Sequence, residues 1–101
     1  MGKIIYIAGP MTGLPDYNRK AFSEASEKLK QDFANAAIIN PAENFGGNLN
    51  LDYATYMRMS IYQVLTADMI YMLSGWMESR GAILEHRIAE LLKISIIYEQ
   101  T

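Results

Sequence analysis

Short runs dense in apolar residues alternate along the chain with longer stretches in which apolar residues recur every three or four positions. A short continuous apolar run is typical of a strand that is covered on both faces of a parallel sheet. Four such runs predict strands at Lys3–Ala8, Ala36–Asn40, Met69–Leu73 and Ile94–Tyr98.

Three helices are predicted between these strands, because the intervening apolar residues form stripes at helical spacing. Each helix follows a residue whose side chain can cap a helix N-terminus, namely Asp16, Asp52 and Ser79. We place the helices at about residues 17–33, 53–66 and 80–92. Their predicted buried sides are Phe22, Ala25, Leu29 and Phe33 in the first, Met57, Ile61, Val64 and Leu65 in the second, and Leu84, Ile88, Leu91 and Leu92 in the third.

The predicted element order is β-α-β-α-β-α-β, which indicates an α/β fold with a parallel sheet and helices on both faces. With four strands, the simplest doubly wound arrangement has the strand order 2-1-3-4. The loops Gly9–Pro15 and Ser74–Gly81 would then face each other across the switch point, where open α/β sheets bind ligands. No linker or repeat divides the sequence, so we expect one domain over residues 1–101.

Composition narrows the function classes. Of 101 residues half are hydrophobic, 20% are charged and the formal net charge is −2. The absence of a basic run argues against binding to a nucleic-acid polymer, and the absence of cysteine excludes disulfides and thiolate metal sites. Apolar runs of about five residues are too short to span a membrane, and no secretory signal is visible, so a cytoplasmic protein is expected.

Glu85 lies early in the third predicted helix and is the main candidate for chemistry. The positive end of a helix favours an ionised carboxylate, whereas partial burial raises its pKa. An ionised, poorly solvated carboxylate can act as a covalent nucleophile, for example at the anomeric carbon of a sugar. An ordinary surface glutamate is the alternative, and it is the commoner case for a helical glutamate.

The loop before that helix offers possible anion ligands. The hydroxyl of Ser79 and the backbone N–H groups near Gly81 suit a phosphate at a helix N-terminus, although a simple cap followed by a turn glycine explains the same residues. The loop after the first strand, Gly9–Gly13, contains Pro10 and Met11 but matches neither GxGxxG nor a P-loop. Nothing therefore implies an organic cofactor or a metal ion.

Two other polar residues have structural interpretations. Asp68 precedes the third strand and so belongs at the opposite end of the sheet from the predicted crevice. His86 is the only histidine and points about 100° away from Glu85 on the helix. A Ser-His-Asp device and a multi-histidine metal site are both ruled out.

Several segments together resemble the nucleoside 2-deoxyribosyltransferase-like family, including its small phage and bacterial members of the DUF4406 type. The resemblance spans nearly the whole chain and implies a flavodoxin-like doubly wound sheet. The segments are IYIAGPMTG (5–13), NPAE (40–43), YMR (56–58), ADMIYMLSGW (67–76) and SRGAILEHRIAE (79–90).

The resemblance implies a mechanism and roles for individual residues. Glu85 matches the glutamate that attacks the anomeric carbon of a 2-deoxyribonucleoside and expels the base. Tyr6 matches the tyrosine that orients this glutamate, and Gly9 the glycine that lets the first loop approach the substrate. Trp76 and Met11 are candidates to sandwich the base, or else simple rim packing.

Ser79 bears on the substrate. The family resemblance implies that Ser79 corresponds to an aspartate in transferases that act on free nucleosides. In the related 5′-monophosphate N-glycosidases it corresponds to a serine near the phosphate. A serine tolerates a dianion that an aspartate would repel, so a nucleotide or another anionic ligand is favoured. Base specificity and the choice between hydrolysis and base transfer stay open.

Ser60 departs from the family pattern, because family members usually carry an aspartate here. Serine cannot serve as a general acid near neutral pH, and such help is typically worth about 10²–10⁴-fold in rate. A non-catalytic nucleotide-binding module is therefore the alternative function, and a small oligomeric scaffold with a vestigial crevice is a third. Family members are generally homo-oligomers, so a dimer or larger assembly is expected.

Overall fold

The computed structural model describes residues 2–100, which form one four-stranded parallel sheet with three helices. Three short 3-10 turns occur in the connections, at Pro15–Asn18, Pro41–Gly47 and Trp76–Glu78. The main elements are β1 (Ile4–Ala8), α1 (Arg19–Asp32), β2 (Ala37–Ile39), α2 (Tyr53–Thr66), β3 (Met69–Met72), α3 (Arg80–Leu91) and β4 (Ser95–Tyr98).

The strand order is β2-β1-β3-β4, so the predicted α/β fold and its 2-1-3-4 order are confirmed. β1 is central: Tyr6 lies beside Ile39 of β2 on one side and Ile70 of β3 on the other. After β1 the chain crosses to β2 on one side of β1, and after β2 it crosses back over β1 to β3 on the other side. The carboxyl ends of β1 and β3 are therefore neighbours at the switch point.

Alternation along β1 divides the core into two layers. Ile5 and Ile7 pack with Phe22 and Leu29 of α1. Tyr6 and Ala8 point to the opposite face and pack with residues of α2 and α3, which include Val64, Ala82 and Ala89. The helices thus cover both faces of the sheet, and Tyr6 points toward α2 and α3.

The first helix begins later than predicted, and Asp16 does not cap it. Asp16, Tyr17 and Asn18, within or at the end of the turn Pro15–Asn18, have φ angles of 49°, 54° and 63°, which lie in the left-handed region and do not occur in a right-handed helix. The Asn18 side chain donates to the carbonyl oxygen of Pro10 at 3.0 Å and ties this turn to the first loop. The Asp16 carboxylate instead pairs with Arg19 Nε at 3.1 Å.

The other two caps are as predicted. The Asp52 side chain accepts from the backbone N–H of Thr55 at 3.4 Å, and the Ser79 hydroxyl accepts from that of Ala82 at 3.2 Å. The connection before α2 contains the turn Pro41–Gly47, in which Asn44, Phe45 and Gly46 depart from helical φ and ψ angles.

The predicted buried sides of α2 and α3 are partly wrong. Met57 and Val64 are buried in α2, but Leu65 is exposed and Ser60 is buried. In α3 two alanines and a glutamate face the sheet, which lets the helix approach it closely. The buried residues are Ala82, Glu85 and Ala89, Ile88 is half-buried, and Leu84, Leu91 and Leu92 are exposed.

Residues 2–100 contain neither a candidate membrane-spanning helix nor a candidate metal site. None of their helices combines the length and the apolar character needed to cross a membrane. No group of three or more His, Cys, Asp or Glu side chains in this range is arranged to hold a metal ion.

Candidate active site

A cavity of about 70 Å³ lies at the carboxyl ends of β1 and β3, between the loop after β1 and the start of α3. This is the switch-point location predicted from the strand order. Its walls combine residues from both loops, from β1, and from the helices α1, α2 and α3. They are Tyr6, Gly9, Met11, Thr12, Phe22, Pro41, Tyr53, Tyr56, Met57, Ser79, Gly81, Ala82 and Glu85.

Glu85 and Tyr6 meet directly in this cavity. The Tyr6 hydroxyl donates a hydrogen bond to Glu85 Oε2 at 2.6 Å. Tyr6 reaches it because β1 directs this side chain toward α3, and Glu85 because it shares the sheet-facing side of α3 with Ala82 and Ala89. Glu85 is only 4% exposed, so the alternative of an ordinary surface glutamate is wrong.

Burial dominates the protonation state of Glu85. It raises the pKa of this carboxyl from 4.5 to about 8, and the hydrogen bond from Tyr6 opposes the rise only in part. The pKa of Tyr6 is raised well above 10.0 by burial and then by the charge of Glu85. At neutral pH the empty site therefore holds a mostly protonated Glu85 beside a neutral phenol.

Tyr56 is a cavity residue to which sequence reasoning assigned no role. Its hydroxyl donates to the carbonyl oxygen of Pro41 at 2.9 Å and lies 3.3 Å from Met11 Sδ. Burial raises its pKa, and the charge of Glu85 adds to the rise. The signal was present in the sequence, because Tyr56 precedes Ser60 by four residues and so lies on the same side of α2.

Ser60 is completely buried beside these phenols. Its hydroxyl is close enough to Tyr6 and Tyr56 to counteract the rise in both pKa values. Neither contact has the geometry of a hydrogen bond, and Ser60 Oγ has no hydrogen-bond partner among the described residues. From the sequence, Ser60 was also a candidate substrate-binding residue, at the position of the family's aspartate. It does not line the cavity, so its position does not support direct contact with a substrate.

Ser79 and Gly81 form the cavity wall at the start of α3. Ser79 serves as the helix cap, and its hydroxyl is engaged by Ala82 N–H. The next residue, Arg80, places its guanidinium carbon 3.8 Å from the centre of the Tyr53 ring. A cation is thus held near the N-terminus of α3.

Gly9 lies against the core as well as the cavity. A Cβ atom at this position would approach Cβ and Cδ1 of Leu73 to 2.8 Å, and Leu73 is itself buried. The lack of a side chain therefore lets β1 and β3 end close together, in addition to leaving the cavity open.

A wider cleft of about 530 Å³ adjoins the small cavity and shares Met11, Thr12, Tyr53, Tyr56, Ser79 and Gly81 with it. Pro10 belongs to this outer cleft, with the predicted loop residue Met11. The other residues lining it are Tyr17, Leu49, Leu51, Glu78 and Arg80.

Trp76 does not line either space, so the prediction that it sandwiches a base with Met11 is not supported. Its ring stacks on His86 with centroids 4.1 Å apart, and the His86 ring nitrogen Nε2 lies 2.7 Å from the Tyr98 hydroxyl. The 3-10 turn at Trp76–Glu78 directs the indole toward β4 rather than toward the first loop.

Asp68 lies away from the cavity, as predicted. Its side chain accepts from the backbone N–H of Ile4 at 2.8 Å, at the opposite end of β1.

Comparison with known proteins identifies a family and a structurally similar protein. Residues 3–98 match the family described as "Domain of unknown function (DUF4406)". The fold is similar to that of a 2-desoxiribosyltransferase from Leishmania mexicana, with a TM-score of 0.71, 19% identity and 95% of this chain covered. The match spans 63% of that protein's chain. No curated protein matches this sequence.

Proposed function

The chain belongs to the DUF4406 family of domains of unknown function, and we propose that this member breaks the N-glycosyl bond of a deoxyribonucleoside or its 5′-monophosphate. The products would be the free base and a sugar that is first held on Glu85. Either water or a second base would then take the sugar, by hydrolysis or by base transfer.

The Tyr6–Glu85 pair is the observation that carries this proposal. A buried carboxyl group, held in one orientation by a 2.6 Å hydrogen bond, lies in a small cavity at the switch point of the sheet. Structural role alone does not account for it, because burying a carboxyl group is costly and an apolar residue would pack α3 equally well. The fold shared with a deoxyribosyltransferase supports the same substrate class.

The reaction would balance in two steps. A carboxylate oxygen of Glu85 forms a bond to C1′ while the C1′–N bond breaks, and the bonding pair leaves with the base. Glu85 reacts as the carboxylate, so its proton passes to the solvent before the attack, and the departing base takes up a proton from water. Water or a second base then attacks C1′, the ester C–O bond breaks, and Glu85 is regenerated.

The remaining residues would position the substrate. Tyr6 fixes the attacking oxygen of Glu85, because its hydroxyl donates to the partner oxygen of the same carboxyl group. The sugar would lie in the small cavity over Gly9 and Met11, and its 5′ end would face Ser79 and Gly81. Arg80 lies beside this wall and favours a 5′-phosphate over a neutral hydroxyl.

A direct test uses the purified protein with a panel of deoxynucleosides and their 5′-monophosphates, with free base measured by chromatography. Glu85→Gln is the matched variant, since the amide keeps the shape and still accepts from Tyr6 but cannot form the ester. We expect base release by the wild type, none by the variant, and a sugar adduct on Glu85 in intact-protein mass spectrometry. Equal base release by the two proteins would overturn the assignment of Glu85.

The second candidate is a nucleotide-binding module without turnover, and the lining of the cavity favours it. Glu85 is the only carboxyl group among the residues that line the small cavity, so this cavity itself offers no second acid to protonate the leaving base. Calorimetry that shows tight nucleotide binding without base release would decide for this candidate.

A further inference from the structure

Ser60 presents an unusual combination of burial and chemistry. It is completely inaccessible to solvent, and its hydroxyl lacks a hydrogen-bond partner within residues 2–100. An unsatisfied buried hydroxyl normally costs about 1–3 kcal/mol. This unsatisfied hydroxyl lies on the buried side of α2, next to the phenols of the candidate site.

The neighbouring hydroxyls have unused acceptor capacity. A tyrosine hydroxyl has one O–H to donate and lone pairs with which to accept. Tyr6 gives its proton to Glu85, and Tyr56 gives its proton to Pro41. Both phenol oxygens can therefore accept, and Ser60 is the adjacent group with an uncommitted O–H.

We propose that Ser60 is a positioning residue that donates its hydroxyl hydrogen to Tyr6 Oη, and that Ser60, Tyr6 and Glu85 act as one hydrogen-bonded chain. Ser60 and Tyr56 lie one turn apart on the same side of α2, and Tyr56 and Tyr6 line the same cavity, so the serine hydroxyl lies in the neighbourhood of both phenols. A phenol that accepts a hydrogen bond becomes a stronger donor through mutual polarisation. Ser60 thereby favours the ionised form of Glu85, although it does not touch the substrate.

Around Glu85, stabilisation of the ionised carboxyl group falls to the hydrogen-bonded chain of Ser60 and Tyr6. The titratable groups that face it are Tyr6 from β1 and Tyr56 from α2, and Tyr53 lies farther along the cavity wall. No lysine, arginine or histidine is among the residues that form this wall. Hydrogen bonds to the charged form are then the means by which the protein can favour the carboxylate.

The inference rests on the proposed function for its meaning but is tested without turnover. The protein is labelled with ¹³C at glutamate side-chain carboxyls, and the Glu85 signal is assigned by its loss in Glu85→Gln. Its titration midpoint is then compared in the wild type and in Ser60→Ala, Ser60→Thr and Tyr6→Phe. Ser26→Ala is the matched control, because Ser26 is also buried but lies on α1, on the opposite face of the sheet.

We expect Ser60→Ala to raise the Glu85 midpoint by about half a pH unit to one unit, the size of one hydrogen bond's contribution. Ser60→Thr should restore the midpoint, and Ser26→Ala should not move it. In a Tyr6→Phe background the Ser60→Ala shift should vanish, because the effect passes through the phenol. An unchanged midpoint in Ser60→Ala, or a shift of the same size with Phe at position 6, would overturn the inference. A protein that shows the shift but releases no base would retain the inference and lose the proposed function.

Discussion

The hydroxyl of Tyr6 donates to the carboxyl of Glu85 at 2.6 Å across a sequence separation of 79 residues. This contact joins the central strand to the last helix and places both polar groups in the core, next to the cavity. Because Glu85 is held at 4% exposure, its protonation is tied both to the stability of the fold and to the proposed reaction. Four predictions follow from this contact and from the packing around it.

Removing the Tyr6 hydroxyl should slow the reaction without unfolding the protein. A hydrogen bond to a charged group is worth about 1.5–3 kcal/mol, so Tyr6→Phe should reduce kcat/KM for base release roughly tenfold to hundredfold. Tyr71→Phe is the control, since Tyr71 is also a buried strand tyrosine but packs on the other face of the sheet. A Tyr6→Phe enzyme as active as Tyr71→Phe would show that the hydroxyl does not contribute.

Base release should increase with pH. In the proposed reaction Glu85 attacks only when ionised, and burial raises its pKa to about 8. We expect kcat/KM to rise about tenfold per pH unit well below pH 8 and to level off above it, because this parameter reports the free enzyme. The test is to measure kcat/KM from initial rates at constant ionic strength over about pH 5.5–9.5, a range that brackets pH 8. A rate that is flat from pH 6 upward would contradict a protonated Glu85 in the empty site.

Stability should change with pH in the opposite direction. The carboxyl of Glu85 titrates near 4.5 when unfolded but at about 8 when folded, so between these values the folded protein holds a proton that the unfolded chain releases. The free energy of unfolding therefore falls as pH rises through this window, by on the order of a few kcal/mol. Urea unfolding should show this decline in the wild type but not in Glu85→Gln. Parallel pH profiles of the two proteins would argue against the raised pKa.

Two glycines of the site should respond differently to a methyl group. In Gly9→Ala the new Cβ would meet the buried Leu73 at 2.8 Å, and such overpacking typically costs about 1–3 kcal/mol. In Gly81→Ala the Cβ would lie 3.0 Å from the sulfur of Met57, a flexible side chain that can shift, and alanine also favours the helix. Urea unfolding should therefore show a clear loss for Gly9→Ala and little change for Gly81→Ala. Equal losses would mean that Met57 is as rigid as Leu73.

The sequence by itself determined the order of strands and helices, the 2-1-3-4 sheet and the position of a cavity at the switch point. These follow from local patterns: dense apolar runs make strands covered on both faces, and the right-handed crossover restricts how such strands connect. The caps at Asp52 and Ser79 were also predictable, because a cap depends on residues within one turn. Asp16 failed as a cap for a nonlocal reason, since Asn18 is tied to Pro10 in the preceding loop.

Only the tertiary structure decided which side chains share a space. Counting apolar residues placed Leu84, Leu91 and Leu92 against the sheet, but close packing through Ala82 and Ala89 turned them outward and buried Glu85 instead. The close packing of α3 on the sheet also brought Glu85 to Tyr6. Trp76 stacks on His86 of the same helix. The hydrophobic pattern of a sequence reflects only how apolar each residue is. Whether a carboxyl group is buried depends on how closely two secondary-structure elements approach each other. That distance is set by the size of side chains far apart in the sequence.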